Sequence, residues 1–399
     1  MSDNKLKGRI GRGREMRLYV LFPLLLLIVL LAGCWDKIEV NDMAMIVSAG
    51  IDHIDDDQIE LTVQVFIPNP TATSDGGGNG GAGGEGNVYT FSTKGSSMPD
   101  ALTDLQKKLP RYFTWSHTKA YVFGETLARR GMNDEFDFLF RDIQPREQAN
   151  FFICKGTAKK LLNSQIDPNT YETLIKLSQK PTTRSSTMHE VEALINGESG
   201  AFLLPTADLT TMLTNGVEKR ILSVSGLAVI HNKKLVGYLD NECTTGLRLL
   251  QHAVLGRNIT LTRKEEPGSI VIRVLHSNMK LYPSIDNGKW KMRINVKLDA
   301  DVVQNSTKLV LANGSDSLRK IEGTFNEEIK QTIVYTMEQL QNKLKTDVVG
   351  FARAYHKKYP QEWKNVKAAW TPVFQSVEVE IETKTRIHLP GITNIRVAQ

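Results

Sequence analysis

The sequence predicts an exported chain of several domains and mixed class, α/β first and α+β after it, with mixed or antiparallel sheets packed by helices. Three observations carry this prediction. Strand and helix patterns alternate with short connections through the first half. The second half carries runs of period two and then one long apolar stripe of period 3.6. The length, 399 residues, suits about two to three ordinary domains.

Residues 1–33 stand apart from the fold. Lys5, Lys7, Arg9, Arg12, Arg14 and Arg17 face only Asp3 and Glu15, and an apolar run over 18–32, interrupted by Pro23, follows them. A membrane span needs about 20 apolar residues, so this shorter, Pro-broken run reads as the apolar core of a signal peptide. Leu31-Ala32-Gly33-Cys34 closes it. Two small residues let an extended backbone enter a peptidase, and the Cys34 thiol is a nucleophile able to carry a diacylglyceryl group. This is the pattern of a bacterial lipobox. It predicts cleavage between Gly33 and Cys34, S-diacylglycerol and N-acyl groups such as palmitate on Cys34, and a chain outside the cytoplasmic membrane. An uncleaved N-terminal anchor is the plainer alternative. Two acyl chains would hold the protein stably where one is marginal, at about 0.8 kcal/mol per buried CH₂.

The formal charge of +6 does not indicate nucleic acid, because residues 1–33 contribute +4 and leave +2 for the other 366 residues. Nucleic-acid binding needs a clustered basic surface. Cys154 lies in an apolar run and Cys243 in a polar one. A disulfide between them is open, but a buried free thiol at Cys154, packed as a small hydrophobe, is the favoured reading.

Residues 43–51 read as a strand, Asp55-Asp56-Asp57 as a solvated turn, and 59–67 (IELTVQVFI) as a strand with one buried face. The glycine tract over 71–87 contains a literal GxGxxG at Gly78, Gly80 and Gly83, without the strand and helix that a dinucleotide site requires. It reads as a disordered surface insertion. A helix follows with Leu102, Leu105 and Leu109 on one face and Pro110 as its stop. Then come a strand over 117–124, one helix over 125–142, a strand over 149–154 and a short helix through Leu161 and Leu162. Patterning weakens over 167–204 into helical and loop segments.

A second block opens near Ile221 with a hairpin of 224–230 and 235–239 about His231-Asn232-Lys233-Lys234. Residues 245–255 read as a helix, and 259–263, 269–277, 278–283 and 290–302 as a meander of strands. Leu318, Ile321, Phe325, Ile329, Ile333, Met337, Leu340 and Leu344 then mark a long amphipathic helix that packs along a sheet. Residues 377–389 (VEVEIETKTRIHL) close the chain as a strand. The predicted division is a signal peptide over 1–33, an α/β domain over 34–165, a helical and loop segment over 166–220 belonging to a second domain, and a sheet-plus-long-helix domain over 221–399.

Catalytic patterns are missing. Ser223-Val224-Ser225-Gly226 lacks the first glycine of a nucleophile elbow. The eight histidines show no pair at ligand spacing on a predicted helix. Carboxylate pairs such as Glu265-Glu266 and Glu327-Glu328 fit solvated surfaces. No enzyme, metal or cofactor is expected.

Several stretches together resemble the Ger(x)C family of spore germination lipoproteins, the C subunits of GerA-type nutrient germinant receptors. The first is Gly33-Cys34-Trp35-Asp36 with IVSAGID over 46–52 and TVQVFIP over 62–68. The second is Trp115-Ser116-His117, Gly124-Glu125, Ala128-Arg129-Arg130-Gly131, FLFRD over 138–142 and Lys155-Gly156-Thr157-Ala158. The third and most specific is Thr346-Asp347-Val348-Val349-Gly350-Phe351, Lys358-Tyr359-Pro360, Trp363, Trp370 and the strand after Phe374.

The resemblance implies three domains, each a sheet with helices, and a lipid anchor on the outer face of the spore inner membrane. It also implies a non-catalytic role beside an A-type and a transporter-like B-type membrane subunit, with the B subunit recognising the nutrient. Asp347 would cap or kink a helix near Gly350, and the aromatic residues would be core anchors. The alternative function is a solute-binding lipoprotein of a transporter, a class usually built from two βα lobes. A tethered cell-wall enzyme is the weakest reading, for want of a site.

Overall fold

Two short apolar runs, AYVFG and NFFIC, form the middle of the first sheet, and both are buried on both faces. Strands covered on both sides need no polar alternation and pair in parallel under crossover helices. The computed structural model describes residues 42–55, 58–67, 87–164, 166, 169–180, 183, 185–251, 256, 258–262 and 267–389. The signal segment, the lipobox with Cys34, and the glycine tract as far as residue 86 lie outside the described residues.

The first sheet has nine strands. They are β1 (Met43–His53), β2 (Ile59–Ile67), β3 (Asn87–Gly95), β4 (Tyr112–Thr114), β5 (Ala120–Gly124), β6 (Asn150–Cys154), β7 (Ala201–Thr214), β8 (Val217–His231) and β9 (Lys234–Leu239). The order is β3-β2-β1-β5-β6-β7-β8-β9, with β4 beside the start of β1. The block β1-β5-β6-β7 is parallel, β4 joins β1 in parallel as well, and β2, β3, β8 and β9 add antiparallel.

Helices cover both faces. Tyr121, Phe123, Phe151 and Ile153 point into a core with α1 (Met98–Gln106), α2 (Glu125–Arg130), α3 (Asn133–Arg141) and α6 (Met188–Ile195). Ala120, Val122, Phe152 and Cys154 point the other way, onto α4 (Ala158–Leu162) and α5 (Thr170–Ser178).

The second sheet runs β10 (Asn258–Thr262), β11 (Ser269–Asp286), β12 (Lys289–Asn305) and β13 (Glu378–Leu389). Its first three strands are antiparallel, and β13 joins β12 in parallel after a long helical excursion. Met292, Ile294, Val296, Leu298 and Ala300 form the inner face, against which α8 (Asp316–Glu338) lays the predicted stripe. A π-helical turn, Gln339–Lys343, extends α8 so that Leu340 stays in the core. The same helix shields the edge of β13: Glu322 accepts from the Ile387 N–H at 2.9 Å, and the Thr383 hydroxyl donates to the Asn326 carbonyl at 2.9 Å. Leu203, Leu227, Val229 and Leu239 of the first sheet share this core, so the two sheets pack together.

The expected mixed architecture and long C-terminal helix are present, and several elements differ from the sequence reading. The single helix over 125–142 is two helices, because Gly131 sits at φ +127 and ends α2. The weakly patterned stretch over 167–204 holds α5 and α6 and then enters β7. The strand escaped notice because AFLLPTA is buried throughout, without alternation, and carries Pro205. The hairpin read as the start of the C-terminal block is β8 and β9, which pair through β7 with the first sheet. Residues 269–277 and 278–283 are one strand, β11, with an irregularity at Val274/His276 that shifts the register without breaking the pairing. The helix read over 245–255 opens earlier, as α7 (Asn241–Leu249), because the Asp240 carboxylate accepts from the Cys243 N–H at 2.7 Å. The resemblance implied a sheet in each of three domains, whereas the described residues hold two sheets.

Candidate functional site

Several of the family-like motifs, far apart in sequence, meet at two buried carboxylates. The first is Asp52, where β1 ends. Its oxygens accept from the Ala158 N–H at 2.7 Å and the Lys159 N–H at 2.8 Å, the opening amides of α4. Burial raises the Asp52 pKa, while the two amides and nearby Lys159 work against that rise.

Small residues make this approach possible. A Cβ on Gly124 would collide with the Asp52 carboxylate, and one on Gly50 would press into Ala158 and Leu162. Gly156, at φ +94, turns the chain into α4, and its carbonyl accepts from the Glu125 N–H at 3.0 Å. Around this node, Lys159 Nζ meets Glu60 at 2.5 Å, and Ser48 donates to Gln64 at 2.8 Å while Gln64 donates to the Leu162 carbonyl at 2.9 Å. IVSAGID, Gly124-Glu125 and Lys155-Gly156-Thr157-Ala158 therefore form one structural unit. Asp52 fills the place at the start of α4 that an external anion would take in a phosphate-binding α/β fold.

The second carboxylate is Asp347, 3% exposed. Oδ1 accepts from Val349 (3.2 Å), Gly350 (2.9 Å) and Phe351 (3.1 Å) N–H groups. Oδ2 accepts from Ala352 N–H at 2.7 Å and Trp370 Nε1 at 3.2 Å. Five donors thus meet one carboxylate at the start of α9 (Phe351–Lys358), which Gly350 enters at φ +91. Burial raises the Asp347 pKa, and the amide hydrogen bonds pull it down. Asp347 is therefore the helix cap that its motif suggested. Phe351, Tyr355, Trp363, Trp370 and Phe374 are buried around it, with ring centroids such as Trp363–Trp370 at 5.1 Å. They belong to α9, α10 (Pro360–Val366) and α11 (Trp370–Ser376).

Several other described motif residues are also buried or paired. Trp115 is buried against Phe138 at 6.0 Å, and Arg129 pairs with Glu125 at 2.7 Å. Burial lowers the His117 pKa, assisted by Arg146 and Lys119. Cys154 and Cys243 are both free and buried. Burial pushes the Cys154 thiol pKa well up and that of Cys243 to about 12.

An open groove of about 620 Å³ lies on the second sheet beside Tyr282, Lys291, Arg293, Lys358 and Glu378. Its cations have partners within the groove: Lys291 lies 3.6 Å from Asp286, Arg293 stands over the Tyr282 ring at 5.3 Å, and Lys358 donates to the Pro283 carbonyl at 2.7 Å. Among the described residues, no group of three His, Cys, Asp or Glu side chains is placed to hold a metal ion, and no helix is long and apolar enough to cross a membrane.

The motif strings point to Asp347 as a cap or kink, whereas Asp52 stands in them only as the last letter of IVSAGID. The available signal was an acidic strand end coupled to a Gly-Thr-Ala helix start a hundred residues away.

Comparison with known proteins agrees with these motifs. Residues 36–209 match the model of the spore germination protein N-terminal domain, and residues 225–391 match that described as spore germination B3/GerAC like, C-terminal. The putative spore germination protein YfkR of Bacillus subtilis (strain 168) is 27% identical over 92% of this chain and 95% of its own length. Spore germination protein KC of the same organism is 25% identical over 93% of this chain and 95% of its own. The crystal structure of the GerBC protein superposes with a TM-score of 0.55 at 20% identity, covering 85% of this chain and 96% of that one. With both family models matched in order along nearly the whole of the chain after residue 35, this protein belongs to the Ger(x)C family of spore germination proteins.

Proposed function

We propose that the chain is the lipid-anchored, non-catalytic C subunit of a nutrient germinant receptor. It is held through Cys34 on the outer face of the spore inner membrane and works with an A-type and a transporter-like B-type membrane subunit. The observation that carries this reading is the end-to-end match to spore germination proteins in a chain that opens with a lipobox. The site geometry is consistent with a scaffold: both buried motif carboxylates, Asp52 and Asp347, are engaged in holding backbone amides.

The test has two arms. Cys34→Ala spores should lose most germination through the receptor containing this chain and lose the chain from the inner membrane; normal retention and response would refute the anchor. The C-terminally tagged chain, taken from inner membranes in mild detergent, should bring down both membrane subunits. Recovery of an ABC permease instead would turn the reading toward a solute-binding lipoprotein.

A further inference from the structure

We infer that the end of the first sheet at which β1 begins is a membrane-contact surface, in which Tyr112, Ile143 and a group of basic side chains lie against anionic phospholipid headgroups. The inference rests on the reading of Cys34 as the lipid anchor. Seven residues, and so eight peptide steps, separate Cys34 from Asp42, where the described chain starts. Fully extended, those eight steps reach at most about 29 Å, so the start of β1 cannot be far from the bilayer.

Two elements are pinned at that end. β4 pairs in parallel with the first residues of β1, Tyr112 opposite Met43, and Tyr112 is 58% exposed. The loop after α3 reaches the same place, because Gln144 Oε1 accepts from the Trp115 N–H at 3.3 Å and Asp142 Oδ1 accepts from the Gln144 N–H at 2.9 Å. Between those two anchored residues stands Ile143, 97% exposed, the most exposed large apolar side chain among the described residues. An aliphatic side chain held in water by a pinned loop gains by entering a lipid interface, and a neighbouring tyrosine is suited to the headgroup level.

The charge fits the same surface. Residues 107–119 carry Lys107, Lys108, Arg111 and Lys119 and no carboxylate, and Arg146 lies near His117 and Lys119. The carboxylates at this end are Asp42, exposed beside Met43; Asp104, bound to Lys108 at 2.7 Å; Asp142, which holds the loop; and Glu147, which is exposed, against the basic Lys107, Lys108, Arg111, Lys119 and Arg146. Lysine and arginine stems can lie along apolar surface while their charged ends reach anionic headgroups. The opposite end of the sheet serves as an internal control. Ile51 and Thr206 stand at the same level across the parallel block, so Leu213, near the tip of the β7–β8 hairpin and 70% exposed, lies about 50 Å from Met43 at roughly 3.3 Å per residue.

The experiment uses the full lipidated chain, reconstituted in phosphatidylcholine vesicles with and without phosphatidylglycerol. An environment-sensitive fluorophore is placed at Ile143→Cys or Leu213→Cys, which the buried Cys154 and Cys243 leave uniquely labelled. Quenching by nitroxide lipid should be at least about threefold stronger at position 143 than at 213 in anionic vesicles. It should fall toward the 213 level in phosphatidylcholine alone and in the Lys107→Glu/Lys108→Glu/Arg146→Glu variant. Equal quenching at the two positions in protein that stays on the vesicles, or quenching at 143 indifferent to lipid charge, overturns the surface. Release of the unlabelled lipidated chain by an alkaline wash would instead sink the Cys34 anchor, a separate readout.

Discussion

Replacing Asp347 with alanine removes one carboxylate and leaves five donors without it. The Val349 and Gly350 amides are partly exposed, and water can reach them. Phe351 is 0% exposed, Ala352 1% and Trp370 6%, so two backbone N–H groups and one indole N–H lose their acceptor inside the core. Each buried orphan costs about 1–3 kcal/mol, and some water entry keeps the sum near the lower end, so Asp347→Ala should cost about 4 kcal/mol. That is a large part of the roughly 5–15 kcal/mol that holds an ordinary domain together.

Guanidinium unfolding followed by tryptophan fluorescence measures this loss where it occurs, since Trp290, Trp363 and Trp370 cluster within the same core. Asp286→Ala is the control: its ion pair with Lys291 spans 3.6 Å on an exposed surface, and its removal should change stability by less than about 1 kcal/mol. A loss below about 1 kcal/mol for Asp347→Ala would refute the argument that this carboxylate organises the start of α9.

Gly124→Ala should lower the melting temperature through a cost of about 1–3 kcal/mol, because its Cβ drives Asp52 off the amides of α4; an unchanged melting temperature would show that the node can relax. Burial raises the Glu135 pKa above its ordinary 4.5, with Asp134 adding to the rise, so its ionisation opposes folding. The folded state holds that proton more tightly, so stability from this group is present below the unfolded pKa and is lost as pH rises through the raised one. Glu135→Gln should accordingly stabilise the protein at pH well above 4.5 and have little effect below it, as melting curves at two pH values will show. Cys154 and Cys243 should resist a thiol reagent in the native state and react only on unfolding, because burial disfavours both thiolates; prompt native labelling of either would contradict their placement.

Local order was legible wherever apolar side chains recur with the period of one element. This holds even in IELTVQVFI, whose expected water-facing side is in fact buried, Thr62 at 0% and Gln64 at 4% exposed, because α4 covers it. The stripe from Leu318 to Leu344, the alternation of IELTVQVFI and the strand that ends the chain all follow from side-chain period, which is a property of neighbouring residues. The family motifs were legible in the same way, as short strings. Legibility failed where burial removed the pattern, as in the AFLLPTA run of β7, and where the backbone at Gly131 left the helical region within a helical composition. It failed again for β8 and β9, whose assignment to a sheet depends on the edge that β7 presents and on nothing within the hairpin.

The sequence by itself determined the mixed class, the long helix and the family to which the chain belongs; it marked Asp347 as a cap or a kink, and the structure decided for the cap. Only the tertiary structure decided that Asp52 meets the start of α4 more than a hundred positions later, that the hairpin completes the first sheet, that Tyr112 lies opposite Met43 and that the loop carrying Ile143 is tied to Trp115. The reason is physical: hydrogen bonding and burial of these groups are settled by partners distant in the chain, and no local period records which distant partner will arrive.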